Sequence, residues 1–101
     1  VDPDFWATER FFQGFGVRIE IVRTGTDRAD IRVTAQVFSA NADFLRVTLC
    51  RANREISSFL LADAPVLFEA MPFDHYKLLF SVNGQIRGGY SFTIKEGRND
   101  G

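Results

Sequence analysis

The chain has 101 residues with a formal net charge of −1 from 12 basic and 13 acidic side chains, and is 46% hydrophobic. Leu, Ile, Val and Phe supply 32 residues, 11 of them Phe, enough apolar surface to exclude a disordered chain and to bound the molecule as one domain. No basic stripe for nucleic acid exists, no apolar run approaches the roughly 18 residues of a membrane span, and one Cys and one His exclude a disulfide framework and the common zinc sets.

The chain order begins with a helix signal. Asp2 caps, Pro3 takes the first helical position, and Phe5, Thr8, Phe11, Phe12 and Phe15 fall on one stripe at helical spacing, with Trp6 on the opposite side. Gly14 supplies the stop, so residues 1–15 are predicted to form a helix packed on the domain. From Gly16 the apolar period becomes two. Val17, Ile19 and Ile21 form a first strand, and Ile31, Val33, Ala35 and Val37 a second. After a turn over Ser39 to Asp43, Leu45, Val47 and Leu49 form a third. A fourth runs from Ile56 to Leu61, a short fifth from Val66 to Ala70, a sixth carries Tyr76, Leu78, Phe80 and Val82, and a seventh carries Tyr90, Phe92 and Ile94. The tail, 96–101, is polar and expected to fray.

Side-chain parity constrains pairing. If strands two and three form a hairpin, Ala35 faces Val47, Thr34 faces Thr48, and Arg32 faces Cys50. Asn83-Gly84 signals a type I′ hairpin between the sixth and seventh strands, but an unbroken pairing would turn Tyr90 to the wrong face. One extra residue at Gly88-Gly89, a bulge, brings Leu78 opposite Tyr90 and Tyr76 opposite Phe92. A phosphate cradle at these glycines is a poor alternative, because no helix follows. The fold class is therefore a mainly β, seven-stranded antiparallel two-layer sandwich over residues 16–95, immunoglobulin-like or transthyretin-like, with one short N-terminal helix.

The stretch Leu67 to Ile94 contains Phe68, Pro72, Tyr76 and Leu78 in a "Phe, small loop with Pro, Tyr, alternating apolar" pattern. It resembles the corresponding part of carboxypeptidase-regulatory-like, other transthyretin-like, and immunoglobulin-like modules of bacterial multidomain proteins. Those families usually have Gly just before the Tyr, where this chain has Phe73-Asp74-His75. The resemblance implies an accessory module of a larger bacterial protein, often exported, with no catalytic residue and no cofactor of its own. A chain opening on Val1 fits a processed product or an excised domain.

Candidate sites are few. Asp74, His75 and Tyr76 cluster in sequence, but a His75 base oriented by Asp74 would still need a nucleophile or metal. The favoured reading is a structural corner, with Asp74 capping its own turn and Tyr76 hydrogen-bonding across it. Phe38 and Phe44 fall on the polar parity beside the Ser39–Asp43 loop, Leu79 and Cys50 face outward in their strands, and Trp6 is unassigned. Together they could form an apolar partner surface or an outer sheet face covered by the N-terminal helix. Arg outnumbers Lys ten to two, and Arg18, Arg32 and Arg46, fourteen residues apart, could line up as planar donors for anionic groups or simply be a solvated face. The expected function is a non-enzymatic protein-interaction or assembly module, through a protein partner or self-association at an edge strand or exposed apolar face. The alternative is a small-ligand or carbohydrate-binding sandwich using the outward arginines and Trp6.

Overall fold

A computed structural model describes residues 4–37, 45–61, 64–95 and 98–100. It is a two-sheet antiparallel β structure: eight strands and a three-residue ninth, with no helix among the described residues. The strands are β1 (Phe5–Phe12), β2 (Phe15–Arg23), β3 (Arg28–Val37), β4 (Leu45–Arg51), β5 (Arg54–Leu60), β6 (Val66–Pro72), β7 (His75–Val82), β8 (Gln85–Lys95) and β9 (Arg98–Asp100). One sheet has the order β1-β2-β3-β6, the other β5-β4-β7-β8-β9. No helix among the described residues is long and apolar enough to cross a membrane.

The alternating residues behave as the pattern predicts. Val17, Ile19 and Ile21 of β2, Ile31 and Val33 of β3, Leu45, Val47 and Leu49 of β4, and Leu78 and Phe80 of β7 are all fully buried between the sheets. Phe68 of β6 and Phe92 and Ile94 of β8 complete the layer. Two hairpins are closed by two residues at positive φ: Ala52 and Asn53 (52° and 61°) between β4 and β5, and Asn83 and Gly84 (52° and 82°) between β7 and β8.

The predicted N-terminal helix is instead strand β1, hydrogen-bonded to β2 from Phe5↔Val22 to Phe12↔Phe15. Gly14, read as a helix stop, lies at φ 91° in the two-residue β1–β2 turn. Phe, Trp and Thr are poor helix formers and good strand formers, and a flat ladder beside β2 satisfies the backbone of residues 5–12. The helical Phe stripe is thereby divided between faces. Phe12 turns inward to the core, whereas Phe11 is 63% exposed.

The expected hairpin of the second and third predicted strands does not form either. β3 pairs with β2 and β6, and β4 pairs with β5 and β7, so Ala35 faces Val17 and Val47 faces Phe80 and Phe59. Thr34 and Thr48, and Arg32 and Cys50, therefore stand in different sheets. The chain crosses between the layers after β3, β5 and β6, and returns to a neighbouring strand only in the hairpins. The β7–β8 register follows expectation: Leu78 faces Tyr90 and Tyr76 faces Phe92. The extra residue falls between Ile86 and Gly88, one position ahead of the glycine pair, because Phe80 faces Gly88 and Ser81 faces Ile86. Residues 98–100, placed in the polar tail by the sequence, add β9 to the end of β8.

Candidate functional site

The three outward arginines do not make a row. Arg18 of β2 and Arg32 of β3 lie on the outer face of one sheet, and Arg46 of β4 belongs to the other. Arg18 stands opposite Glu9, with Nη1 3.5 Å from its carboxylate, and its Nε is 3.9 Å from Glu20. Glu20 faces Arg32 across the β2–β3 ladder. The face is a mixed-sign checkerboard, with its cations set against carboxylates of the same sheet. Arg46 donates from Nη1 to Ser58 Oγ at 3.3 Å, across to β5.

Trp6, expected as an outward platform, lies on the inner side of β1. Its ring stacks on Tyr90 with centroids 6.3 Å apart and planes 13° from parallel. Arg10, four residues further along the same inner face of β1, lies over the Tyr90 ring at 4.7 Å and donates to Thr8 Oγ1 at 2.6 Å. Trp6 is thus part of the packing that seals β1 onto β8, and the carbohydrate reading loses its platform. Tyr90 is 7% exposed, and its hydroxyl has no hydrogen-bond partner among the described residues.

The Asp74–Tyr76 corner is a structural joint. Asp74 accepts the His75 N–H through Oδ1 at 2.7 Å and pairs through Oδ2 with Arg51 Nε at 2.9 Å, while its backbone carbonyl accepts from Ile94 N–H at 2.9 Å. Both carboxylate oxygens are therefore engaged by groups other than the His75 imidazole, whose Nδ1 lies 2.7 Å from Thr93 Oγ1. The oriented base of a catalytic dyad is not assembled by these contacts. Tyr76 is fully buried and donates its hydroxyl to the Pro72 carbonyl, tying β7 to the end of β6. Burial pushes the Tyr76 phenol above its ordinary value, Asp74 adds to the rise, and Arg51 and Arg28 oppose it. Beside this corner, Cys50, Asn53, His75, Lys77, Leu79 and Ser91 line an open depression of about 550 Å³ on the outer face of the β4–β7–β8 sheet. Leu79 and Cys50 do face outward, as expected, although both are only partly exposed. No group of three metal-ligating side chains occurs among the described residues.

Four strands end the two sheets, and three of them are blunted against pairing. β6 carries a bulge in which Ala70 takes φ 52° and its N–H is held by Asp30 Oδ1 at 2.8 Å, with Glu69 and Pro72 on either side. β1 places Glu9 and Arg10 at its middle, and β9 spans three residues. β5 differs. Its bulge lies at the N-terminal end, at Ile56, and Ser57-Ser58-Phe59-Leu60 run on as a regular, uncharged, proline-free edge. Ile56, Phe59 and Leu60 are 42%, 47% and 54% exposed, and Phe59 also tilts against Phe68 of β6 at 5.7 Å.

Phe38 and Phe44, expected to carry an apolar surface, lie outside the described residues. The three apolar residues of β5 were not among the expected surface residues. Their signal was the consecutive apolar run Phe59-Leu60-Leu61, which breaks strand alternation and so places apolar side chains on both faces. Comparison with protein-family models, curated proteins and solved structures returns no match.

Proposed function

We propose that this chain is a non-enzymatic protein-interaction or assembly module, an immunoglobulin-like accessory unit of a larger protein, whose contact surface is the edge of β5. The observation that carries the reading is the contrast among the sheet edges. β6 is kinked by a bulge with a positive-φ alanine, held in place by Asp30 of the neighbouring β3, whereas β5 leaves four consecutive uncharged residues and three exposed apolar side chains on an open ladder. An extended segment added to that edge gains main-chain hydrogen bonds and covers Ile56 and Leu60 in the same step. The immunoglobulin-like assignment is supported by the sheet orders β2-β3-β6 and β5-β4-β7-β8, and by the Tyr76 hydroxyl reaching back to Pro72 at the β6–β7 corner.

Amide hydrogen exchange tests the assignment of the edge. Ser57 to Leu60 should exchange slowly when the domain is in its full gene product or assembly, and much faster in the isolated domain at high dilution, while the outward amides of β6 should exchange alike in both. Equal exchange of β5 in the two states, or protection gained only at β6 or β1, would remove the reading.

A further inference from the structure

We infer that the occupant of the β5 edge is a second copy of this chain, paired antiparallel about a two-fold axis through Ser58, so that two sheets join into one continuous sheet. The inference rests on the reading of β5 as the contact surface and names its partner. Two symmetry-related antiparallel strands must match side-chain faces, so the axis passes through a residue of the strand. With the axis at Ser58, Ile56 faces the partner's Leu60 and Leu60 faces the partner's Ile56, both on the outer face, and Ser57 faces the partner's Phe59 on the inner face twice over. The two most exposed apolar positions on the outer side of β5 thus cover each other, and Glu55 first meets an apolar position at the partner's Leu61, beyond the end of the strand. An axis at Ser57 instead sets Glu55 on Phe59 and Arg54 on Leu60. An axis at Phe59 sets Leu60 on Ser58. Of the three axes, only Ser58 sets the outward Ile56 and Leu60 against each other.

Charge complementarity points the same way. Arg46 stands beside Leu60 on β4, and Glu55 lies next to Ile56, opposite Cys50, so both face outward. With strands about 4.8 Å apart, the partner's Arg46 lies two strands from Glu55 and one residue along, roughly 10 Å between backbones and within the joint reach of the two side chains. Each Arg46 exchanges its long contact with Ser58 Oγ, 3.3 Å, for a carboxylate of the other copy, and the symmetry makes two such pairs. A parallel pairing would oppose Arg54 to Arg54 and Glu55 to Glu55, which is repulsive.

Sedimentation equilibrium of the full chain over a wide concentration range, with circular dichroism to verify folding of each variant, tests this. The chain should dimerise. Arg46→Glu and Glu55→Arg should each weaken the dimer by about tenfold, since two ion pairs become like-charge contacts, and the double variant Arg46→Glu/Glu55→Arg should recover to within about threefold of the parent. Leu60→Lys should leave a folded monomer. A chain that stays monomeric at all concentrations overturns the second copy as occupant; protection of β5 in the full gene product would then still uphold the edge as a contact surface for a different protein. A dimer indifferent to Leu60→Lys overturns both. A dimer broken by Leu60→Lys but without rescue in the double variant overturns the proposed register and, with it, the inference.

Discussion

The ring of Phe12, on the last residue of β1, lies against the bare Cα of Gly88 on β8, so close that no Cβ fits between them. The same ring is 5.2 Å from Phe15 and 5.5 Å from Phe80, so it has little room to retreat. Gly88 is thus required by close approach between the two sheets. Gly88→Ala should destabilise the fold by about 1–3 kcal/mol through overpacking, read as a lower urea midpoint. Phe12→Ala introduced into Gly88→Ala should cost less than Phe12→Ala alone. Additive losses in that double-mutant cycle would show that the two residues do not share the space.

The two tyrosines should respond oppositely to loss of the hydroxyl. Tyr76 donates to the Pro72 carbonyl, so Tyr76→Phe should cost about 1 kcal/mol. The Tyr90 hydroxyl is buried without a partner among the described residues, so Tyr90→Phe should be neutral or slightly stabilising. Thermal unfolding of both variants checks this, and an equal loss in each would count against the assignment of partners.

Both phenols are raised above the ordinary 10.0: Tyr76 chiefly by burial, as described, and Tyr90 by burial opposed by the Arg10 guanidinium. In alkaline solution the unfolded chain then holds fewer protons than the folded one, so the contribution to stability is complete below about pH 10 and is lost as pH rises through the folded values. Urea midpoints should fall as pH rises beyond about 10, and Tyr76→Phe and Tyr90→Phe should each flatten the decline. A decline of unchanged slope in the double variant would assign it to other groups.

Asp30 holds the β6 bulge through the Ala70 N–H. Asp30→Ala should cost about 1 kcal/mol and free the bulge to relax toward a regular edge, so light scattering should show association beyond that of the parent chain at the same concentration, and it should persist when Leu60→Lys is added to remove pairing at β5. Asp30→Asn keeps an acceptor and should retain most of both properties.

The strands with one buried face were legible because burial imposes alternation. Val17-Ile19-Ile21 and Leu45-Val47-Leu49 needed nothing but parity, and the opposition of Leu78 to Tyr90 followed from parity plus a type I′ turn and one bulge. β1 was not legible, because its inner face carries Trp6, Thr8, Arg10 and Phe12 and its outer face Phe5 and Phe11, so neither face reads as polar. Local capping signals at Asp2 and Pro3 then favoured the wrong period. The β3–β4 crossover was hidden for a different reason: parity is identical whether neighbouring strands in sequence pair or pack across the sandwich, and only the long-range layering distinguishes them. Of the expected surface residues, Arg18, Arg32 and Leu79 face outward as their parity required, but parity carries no information on which sheet a strand joins. Arg46 and Arg18 therefore ended on opposite sides of the molecule.

The lone tryptophan sits on an edge strand, stacked on the Tyr90 ring that Arg10 of the same strand also covers. This gives the molecule a built-in optical gauge of a single local event. Excitation passes from the buried tyrosines, Tyr90 foremost, to Trp6 most efficiently while β1 lies on β8, so detachment of that one strand would register as a fall in sensitised emission before the remainder of the sandwich loses its far-ultraviolet signal.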